Sequence, residues 1–436
     1  MNGQLVLKIS LGISKFINLT ILIIKKMAKI IPDVPVLIKG KFPKGFVNDV
    51  KGWAFSKDKV KETLLDGTPK LLTLDIDFGL VCSLNCPHCF RRSVNLNKLK
   101  QNSMTYEESV NLIKEAKKLG LESIKFLGAG EPFENKQFLD FLIDLKKLGI
   151  TPCIFTKGHV IGDDKLVKRY YGHHGITTGK QLAQKLMELD VSILLGFNSF
   201  DTRTQNAMVA KDGICGVKDY TTKRNKALKL FVDAGFNKTN PTRIALIAAP
   251  ITPKNIKHIL EIYKWGRVRN LYVVSCPTMV SGRGKEQQKA QNAYYGQSKF
   301  EDEIIDLYTK INIWNIKKGL TSLEKLREEG ISAYAGCHPC NQASSGMYIT
   351  LKGLTIRCPG RDDEQSTFCE DIRKADLKKV WKNSENGKRA GTFNNRCPAK
   401  DGRTIPVRLY SEVLRNVEKY FYKPERDEGC NFEGNI

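Results

Sequence analysis

The sequence is short of acidic side chains and lacks an apolar run long enough to cross a membrane. It has 46 Asp and Glu residues against 71 Lys and Arg, which gives a net charge of +25. The apolar run near the N-terminus, residues 17–24, contains Asn18 and Thr20 and is much shorter than the roughly 20 residues of a transmembrane helix. No small-residue cleavage site of a secretory signal follows it. We therefore expect a cytoplasmic protein with no transmembrane segment.

The N-terminal 70 residues are read as an extension that precedes the folded domains. Residues 1–26 are apolar and basic, and two interpretations stay open: a helix that lies at a membrane interface, or a segment upstream of a true start at Met27. Residues 31–45 are interrupted by Pro and Gly, which predicts an extended lead-in.

The excess of positive charge also has two interpretations. A pI near 9.5 favours an anionic partner, such as a nucleic acid, a nucleotide, an acidic peptide or a lipid headgroup. Lysines that are spread along the chain are equally typical of solvated helix faces. Three arginines are candidates for bidentate contacts to an anionic substrate: Arg283, Arg357 and Arg361. No nucleic-acid motif accompanies them.

The middle of the chain alternates apolar strands with amphipathic helices. Strands are predicted at residues 71–78, 123–127, 151–155, 191–196, 243–249 and 271–275. The first helix is expected to begin at a capping box formed by Thr105 and Glu108. This order predicts an α/β fold, in which right-handed crossovers curl a parallel sheet into a partial (β/α)6 TIM-like barrel. We expect the barrel over residues 71–285, a helical connection over 286–329 and a small cysteine-rich domain over 330–436.

Three cysteines directly after the first predicted strand are the most informative feature. Cys82, Cys86 and Cys89 have the spacing C-x3-C-x2-C. In a reducing compartment, clustered cysteines indicate a metal site more often than disulfides. Three thiolates this close can converge on one soft metal centre, whereas zinc usually takes four ligands in paired halves. The spacing favours a [4Fe–4S] cluster with one open iron, and a structural zinc loop is the alternative.

The cysteine loop, with His88 before its last cysteine, resembles the signature of the radical S-adenosylmethionine (SAM) superfamily. The resemblance implies that the three thiolates hold a [4Fe–4S] cluster whose open iron binds SAM. It also implies that an electron from a reductant such as ferredoxin or flavodoxin cleaves SAM. The 5′-deoxyadenosyl radical then removes a hydrogen atom from the substrate.

Two further strand ends carry residues that the resemblance assigns to SAM. The turn after the second strand, Gly128, Ala129, Gly130 and Glu131, resembles the GGEP motif of the family, with Ala129 in place of the second glycine. It implies a seat for the methionine amino group, with Glu131 orienting the ammonium. At the end of the fourth strand, Asn198 and Ser199 are candidates for contacts to the carboxylate and ribose.

Two aspartates alternate with apolar residues on the first predicted strand. Asp75 and Asp77 therefore point to the same side of the sheet. If that side is the barrel interior, they can bind a substrate or a cation. Carboxylates with structural partners are the alternative interpretation. The adjacent His173 and His174 are expected to be a polar loop pair, because successive residues rarely converge on one ion.

Cysteines return after residue 330, beside a predicted hairpin at residues 347–357. The pattern Cys340-x12-Gly353-x4-Cys358 resembles the start of SPASM or twitch domains, which hold auxiliary iron–sulfur clusters. The resemblance implies one auxiliary cluster on Cys337, Cys340 and Cys358, with Cys397 or Cys369 as the fourth ligand. A zinc ribbon is the alternative. The lone cysteines are expected to pack as small apolar residues: Cys153, Cys215 and Cys276.

The resemblance identifies cofactor and chemistry but not the substrate. Enzymes with such domains commonly modify peptides, so we expect a peptide or protein substrate. A nucleotide or RNA substrate is the alternative that the net charge motivates. A non-catalytic zinc or iron–sulfur module is a third interpretation, and the turn at residues 128–132 argues against it.

Overall fold

The computed structural model describes residues 29–91, 102–285, 295–340, 342–360 and 367–422. The possible interfacial helix at residues 1–26, the alternative start at Met27, and Arg361 lie outside these ranges. Cys369 lies in a described strand, but its side chain is outside the description. Within the described ranges, no helix has the length and apolar character that crossing a membrane requires.

Six parallel strands form the barrel, as the sequence predicts. They are β1 (Thr73–Ile76), β2 (Ser123–Phe126), β3 (Thr151–Thr156), β4 (Ser192–Gly196), β5 (Ile244–Ile247) and β6 (Tyr272–Val274). Each pairs with the next strand in chain order. Most of their residues are buried on both faces, which is typical of a parallel sheet covered by helices.

The helices between the strands follow the amphipathic pattern. They are α1 (Tyr106–Lys118), α2 (Phe138–Lys147), α3 (Asp164–Tyr171), α4 (Gly179–Glu188), α5 (Thr202–Ala207), α6 (Tyr220–Asp233) and α7 (Ile256–Arg267). The predicted capping box at α1 is confirmed: the Glu108 amide donates to Thr105 Oγ1 at 3.1 Å, and the Thr105 amide donates to Glu108 Oε2 at 2.8 Å. Helix α3, which is additional to the expected alternation of one helix per strand, buries Val167, Tyr170 and Tyr171 on one face.

The C-terminal region adds strands to the barrel sheet. It contains α8 (Ser298–Lys318), α9 (Leu323–Glu329), α10 (Gln342–Ser345), β7 (Gly346–Ile349), β8 (Leu354–Ile356), β9 (Thr367–Asp371), α11 (Leu377–Asn383), α12 (Glu385–Lys388) and α13 (Leu409–Phe421). The predicted hairpin is formed by β7 and β8. Strand β7 also pairs in parallel with β1, so the strand order is β6-β5-β4-β3-β2-β1-β7-β8-β9. The cysteine-rich region is therefore continuous with the barrel through β1.

The segment before β1 closes the amino ends of the strands. Val50 and Trp53 are buried, the Lys51 amide donates to Thr242 O at 2.9 Å, and Ser192 Oγ donates to Lys51 O at 2.8 Å. Ser192 and Thr242 lie at or just before strand starts, so this segment covers the floor of the barrel. The carboxyl ends of the strands are left for the functional site, as in other α/β barrels.

Candidate functional site

A single cavity brings the two cysteine groups together. It runs from the carboxyl ends of the strands into the barrel interior. The cysteines that line it are Cys82, Cys86, Cys89, Cys276, Cys340, Cys358 and Cys397. The turn at residues 128–131 lines the same cavity. Residues that are more than 300 positions apart in sequence, such as Cys82 and Cys397, therefore face one space.

The cysteine loop is held by a buried carboxylate that follows the turn after β2. Glu134 accepts hydrogen bonds from the Ser83 amide at 3.0 Å and from Ser83 Oγ at 2.9 Å. His159 Nε2 lies 2.7 Å from Glu134 Oε1, the oxygen that also accepts from the Ser83 amide. Glu134 and His159 are both buried. This network fixes the loop between its first two cysteines.

A second contact holds the other end of the cysteine loop. The Arg283 amide donates to Cys89 O at 3.0 Å, and its guanidinium Nη1 donates to Cys86 O at 3.0 Å and to Asn85 Oδ1 at 2.7 Å. Arg357, another candidate for an anionic substrate, pairs with Glu385 at 2.5 Å. The contacts described for Arg283 and Arg357 are thus with protein groups, and those of Arg283 stabilise the cysteine loop.

The turn after β2 packs directly against the cysteine loop. A Cβ atom on Gly130 would lie 2.3 Å from Val81 O, a distance that no side chain tolerates. The Glu131 amide donates to Val81 O at 2.8 Å. Gly128 has φ +71°, a conformation that favours glycine. Glycine is thus required at position 130 because the turn and the cysteine loop approach each other closely there. Ala129, between the two glycines, lines the cavity without such a clash.

The Glu131 carboxylate is buried in the cavity wall beside the cysteine loop. It accepts a hydrogen bond from Thr156 Oγ1 at 2.6 Å and one from the Lys157 amide at 2.9 Å. Burial raises the pKa of Glu131, although His159 and these hydrogen bonds oppose the rise. Two carboxylate oxygens have about four lone-pair sites, so acceptor capacity remains for an ammonium group.

The structure does not bring Asn198 and Ser199 into the cavity. Both are buried. Asn198 Nδ2 donates to Ala249 O at 2.7 Å, and Ser199 Oγ accepts from the Asp201 amide at 2.9 Å. Their amides both donate to Gln205 Oε1. The described contacts of these residues shape the turn after β4, and Ala249, to which Asn198 donates, reaches the cavity.

The spacing of the thiols differs from that of a single-ion site. In a tetrahedral zinc site with Zn–S bonds of about 2.3 Å, the sulfurs lie about 3.8 Å apart. Among the residues that the structure describes, the one group of three ligand atoms within 4.8 Å of one another is Asp140, His173 and His174. Neither cysteine group is that compact among the described residues.

The two histidines of the predicted polar pair lie on the outer side of the barrel. His174 Nε2 is 3.2 Å from Asp140 Oδ1, and the His173 and His174 rings are 4.3 Å apart. His173 is exposed.

Burial disfavours the thiolate form of the first cysteine group in the absence of a cation. It raises the pKa of the Cys86 thiol to about 11, although Lys157 and Arg283 lower it. Burial also raises the pKa of Cys82, and the neighbouring Cys86 raises it further. Burial together with Lys157 lowers the pKa of His88 to about 3, so the imidazole is neutral. Thiolates in this setting need the positive charge of a bound metal centre.

The second cysteine group contains Cys276 in place of the predicted Cys337. Cys340, Cys358 and Cys397 line the cavity together with Cys276, which the sequence analysis treated as a small apolar residue. Cys337 lies elsewhere: its Sγ donates to Val273 O at 2.7 Å, and it is buried outside the cavity lining. The two residues between Cys337 and Cys340 turn the chain, so the two thiols of this C-x2-C pair point to different surroundings.

A buried lysine lies within the second cysteine group. Lys400 is fully buried, and its Nζ donates to Cys276 Sγ at 3.0 Å. Burial opposes its charge, but Cys276 and Cys397 raise the pKa of Lys400 above its ordinary value. Among the described residues no carboxylate pairs with it. A buried ammonium needs anionic neighbours, and the neighbouring thiols, in their deprotonated form, are the groups that could supply them.

The two aspartates of β1 have different surroundings. Asp77, just past the strand, accepts from Arg91 Nη2 at 2.6 Å and Nε at 3.2 Å, and the Tyr348 hydroxyl also donates to it. It is therefore a structural carboxylate. Asp75 lines the cavity, and its Oδ1 has no hydrogen-bond partner among the described residues. Lys125 Nζ lies 3.8 Å from that oxygen.

Three residues of the site were missed by sequence reasoning. Cys276 follows β6 directly, and the rule that barrel sites form at strand ends would have found it. Glu134 lies three residues after Glu131 and has no signal apart from that proximity. Lys400 carries no sequence signal, because its burial depends on tertiary contacts with Cys276 and with Pro277 O.

Residues 76–266 match the family model described as the Radical SAM superfamily. No curated protein sequence matches the chain.

Solved structures of anSMEcpe share the fold with this chain at low sequence identity. The structure of native anSMEcpe with bound AdoMet is 15% identical, with a TM-score of 0.52, and the match covers 80% of this chain and 96% of that one. The structure of anSMEcpe with AdoMet and the Cp18Cys peptide is 14% identical, with a TM-score of 0.50, and covers 81% and 97%. SuiB of Streptococcus suis, bound to the precursor peptide SuiA, is 15% identical with a TM-score of 0.49 and covers 74% and 67%.

Proposed function

We propose that this chain, whose residues 76–266 match the Radical SAM superfamily model, is an enzyme that cleaves SAM reductively and removes a hydrogen atom from its substrate. One observation carries the proposal: Cys82, Cys86 and Cys89 line the same cavity as the turn at residues 128–131. When bound, a [4Fe–4S] cluster supplies the electron for SAM cleavage. A protein that only binds a metal has no need of the turn at residues 128–131 beside its cysteines.

We assign the protein groups around SAM as follows. Cys82, Cys86 and Cys89 are the cluster ligands, and Glu134 and Arg283 hold their loop in place through the contacts with Ser83 and with the backbone of Cys86 and Cys89. Glu131 is the acceptor for the ammonium of SAM, since it is buried in the cavity wall with acceptor capacity to spare. Gly128 and Gly130 allow this carboxylate to lie against the cysteine loop.

We propose a second iron–sulfur cluster on Cys276, Cys340, Cys358 and Cys397. The four thiols line one cavity, and Lys400 supplies a positive charge beside them. Four cysteines complete the ligand set of a cubane. This cluster would then have no open iron, and its role would be to exchange electrons with the substrate rather than to bind it. Cys337 is not in our ligand set.

For the substrate we propose a peptide or a protein segment. The support is the fold shared with anSMEcpe, whose structure has been solved with the Cp18Cys peptide bound. The net charge of +25 favours an RNA or nucleotide instead, as the second candidate. The two candidates are separated by measuring how well the protein retains a peptide library and RNA at increasing salt concentration. Retention of RNA should fall steeply, because phosphate contacts weaken with salt.

The central claim is tested by anaerobic reconstitution followed by SAM cleavage with dithionite. We expect the wild-type protein to release 5′-deoxyadenosine and Cys82→Ala to release none. Cys153→Ala is the matched control, because Cys153 is buried outside the cavity and its Sγ donates to Lys51 O. A wild-type protein that binds iron but yields no 5′-deoxyadenosine would support the non-catalytic module instead.

A further inference from the structure

Helix α3, the additional helix of the barrel, ends in two adjacent histidines. It runs directly into a 3₁₀ turn, Gly172–His174, which Gly175 ends in a left-handed conformation with φ +74°. Successive side chains of such a turn diverge by about 120°, yet the ring centres of His173 and His174 lie only 4.3 Å apart. The two imidazoles therefore lie side by side, contrary to what is expected of successive residues.

A carboxylate from α2 lies against this histidine pair. His174 Nε2 is 3.2 Å from Asp140 Oδ1, and one ligand atom from each of Asp140, His173 and His174 lies within 4.8 Å of the other two. Neighbouring ligand atoms of a tetrahedral ion with bonds of about 2.0–2.1 Å are separated by about 3.4 Å. The distance between Asp140 and His174 thus matches one edge of such a tetrahedron, and a small rotation of the exposed His173 ring supplies a second edge.

Two observations distinguish this group from an ordinary surface ion pair. His174 Nε2 has no hydrogen-bond partner in spite of its short distance to Asp140, so the two groups are not in hydrogen-bonding geometry. Among the described residues, no lysine or arginine pairs with Asp140, although the chain contains 71 such residues. A neutral imidazole nitrogen and a carboxylate oxygen both have lone pairs, and here they are available to a cation.

An ion can reach this group from the solvent. The side chains of Asp140 and His174 are 45% and 22% exposed, and His173 is exposed, although His174 Nε2 itself is shielded from water. A Zn–N bond of about 2.0–2.1 Å is much shorter than a hydrogen bond of about 2.9 Å. An ion held between the three ligand atoms therefore contacts a nitrogen that a water molecule does not reach.

We propose that Asp140, His173 and His174 bind a divalent transition-metal ion, with Zn²⁺ as the best match. Two imidazoles and one carboxylate are typical zinc ligands, and water fills the remaining position. Ca²⁺ and Mg²⁺ instead prefer oxygen ligands alone, and Fe²⁺ binds a given site more weakly than Zn²⁺. None of the three residues lines the cavity of the cysteine groups, so this metal site is separate from both of them and from the proposed SAM chemistry.

The bound ion joins α2 to the end of α3. Beside this junction, the Tyr171 hydroxyl donates to Phe133 O at 3.0 Å and lies 3.4 Å from Asn135 O. These two carbonyls flank Glu134, which holds the cysteine loop through Ser83. The ion therefore stabilises, from the outer side of the barrel, the segment that supports the first cysteine group.

The binding test uses protein whose iron–sulfur clusters have been reconstituted, so that the cluster thiols are occupied, and titrates it with ZnCl₂ in a calorimeter. We expect one zinc ion per wild-type chain. Asp140→Asn and His174→Gln should bind it at least about 100-fold more weakly, since loss of a group that only orients a ligand already costs about 10–100-fold. His258→Gln is the matched control and should keep the wild-type affinity. His258 is also partly buried and interacts with a carboxylate, Asp201, but it belongs to no group of three ligands among the described residues.

X-ray absorption at the zinc edge identifies the ligands of the bound ion. We expect nitrogen and oxygen at about 2.0–2.1 Å and no sulfur at about 2.3 Å. The circular dichroism and iron content of the variants should equal those of the wild type, because Asp140 and His174 are both partly exposed. A loss of zinc binding then reports on the metal ligands and not on the fold.

Three results would overturn the zinc site. They are a wild-type protein that takes up no zinc, zinc that is bound through sulfur, and wild-type affinity in both Asp140→Asn and His174→Gln. Each can occur in a protein that still makes 5′-deoxyadenosine, in which case the radical SAM function stands and the zinc site is wrong. A protein that binds zinc through these residues but makes no 5′-deoxyadenosine keeps the zinc site and loses the proposed function.

Discussion

Lys400 Nζ donates a hydrogen bond to Cys276 Sγ at 3.0 Å inside a fully buried group of thiols. The two residues are 124 positions apart in sequence, and neither was identified from it. Their contact joins the end of β6 to the C-terminal region and places a positive charge beside the proposed second cluster. Several expectations depend on this contact and on the packing around the first cysteine loop.

Replacing Lys400 by Met should lower the reduction potential of the second cluster. Removal of a cation favours the oxidised, less negative state, and one charge at about 5–6 Å changes the potential by on the order of 100 mV at an effective dielectric constant of about 20. The measurement is a potentiometric titration followed by EPR. Lys400→Arg, which keeps the charge, should stay within about a third of that change. Equal potentials for wild type and Lys400→Met would show that Lys400 does not act on the cluster.

Two cysteine variants distinguish the ligand set proposed here from the one that the sequence motif suggests. Wild-type protein should bind about eight irons after reconstitution, and Cys276→Ala about four. Cys337→Ala should retain about eight, because its thiol donates to Val273 O away from the cavity. The readout is iron content together with EPR of the reduced protein. The reverse pattern, with iron lost only in Cys337→Ala, would restore the motif-based set.

Gly130→Ala should impair the first cluster. The new Cβ would meet Val81 O at 2.3 Å, and overpacking of this kind costs about 1–3 kcal/mol and displaces backbone. We expect lower iron occupancy and at least about a tenfold loss of SAM cleavage. Ala129→Gly, which makes the turn Gly-Gly-Gly-Glu, is the control and should retain both. Normal iron content in Gly130→Ala would mean that the loop can move without loss of the site.

The stability of the cluster-free protein should depend on pH through Asp75. Burial raises the pKa of Asp75 from 3.8 to about 6, although Lys125 opposes the rise. Between these values the folded state keeps a proton that the unfolded state has lost. The free energy of unfolding should therefore fall by on the order of 3 kcal/mol as the pH rises from about 4 to 6. Above pH 6 the contribution of Asp75 no longer changes.

Urea denaturation across this pH range checks the expectation. Asp75→Asn should lack this part of the pH dependence, whereas Glu107→Gln, at an exposed position, should keep it. Identical slopes for the wild type and Asp75→Asn would mean that Asp75 is solvated or differently paired in solution.

Much of the fold was predictable because it depends on local pattern. The alternation of apolar strands and amphipathic helices identified all six barrel strands, and the capping box located the start of α1 to the residue. Helix α3 was not among the predicted elements, although Asp163 caps it and Val167, Tyr170 and Tyr171 have helical spacing. The pairing of β7 with β1 could not be predicted, since nothing in a strand's own residues specifies a partner more than 200 positions away.

The sequence by itself determined the chemistry of the first centre. Three cysteines within eight residues lie close together in any compact loop, so their spacing alone indicates the ligand set. Only the tertiary structure decided the second centre. There the ligands are separated by up to 121 positions, and the orientation of each thiol depends on packing: Cys337 donates to a strand carbonyl, whereas Cys276 contacts Lys400. The same holds for Asp75 and Asp77, which alternate identically in sequence. Arg91 and Tyr348 satisfy Asp77, while Asp75 faces a cavity whose shape is set by the whole barrel.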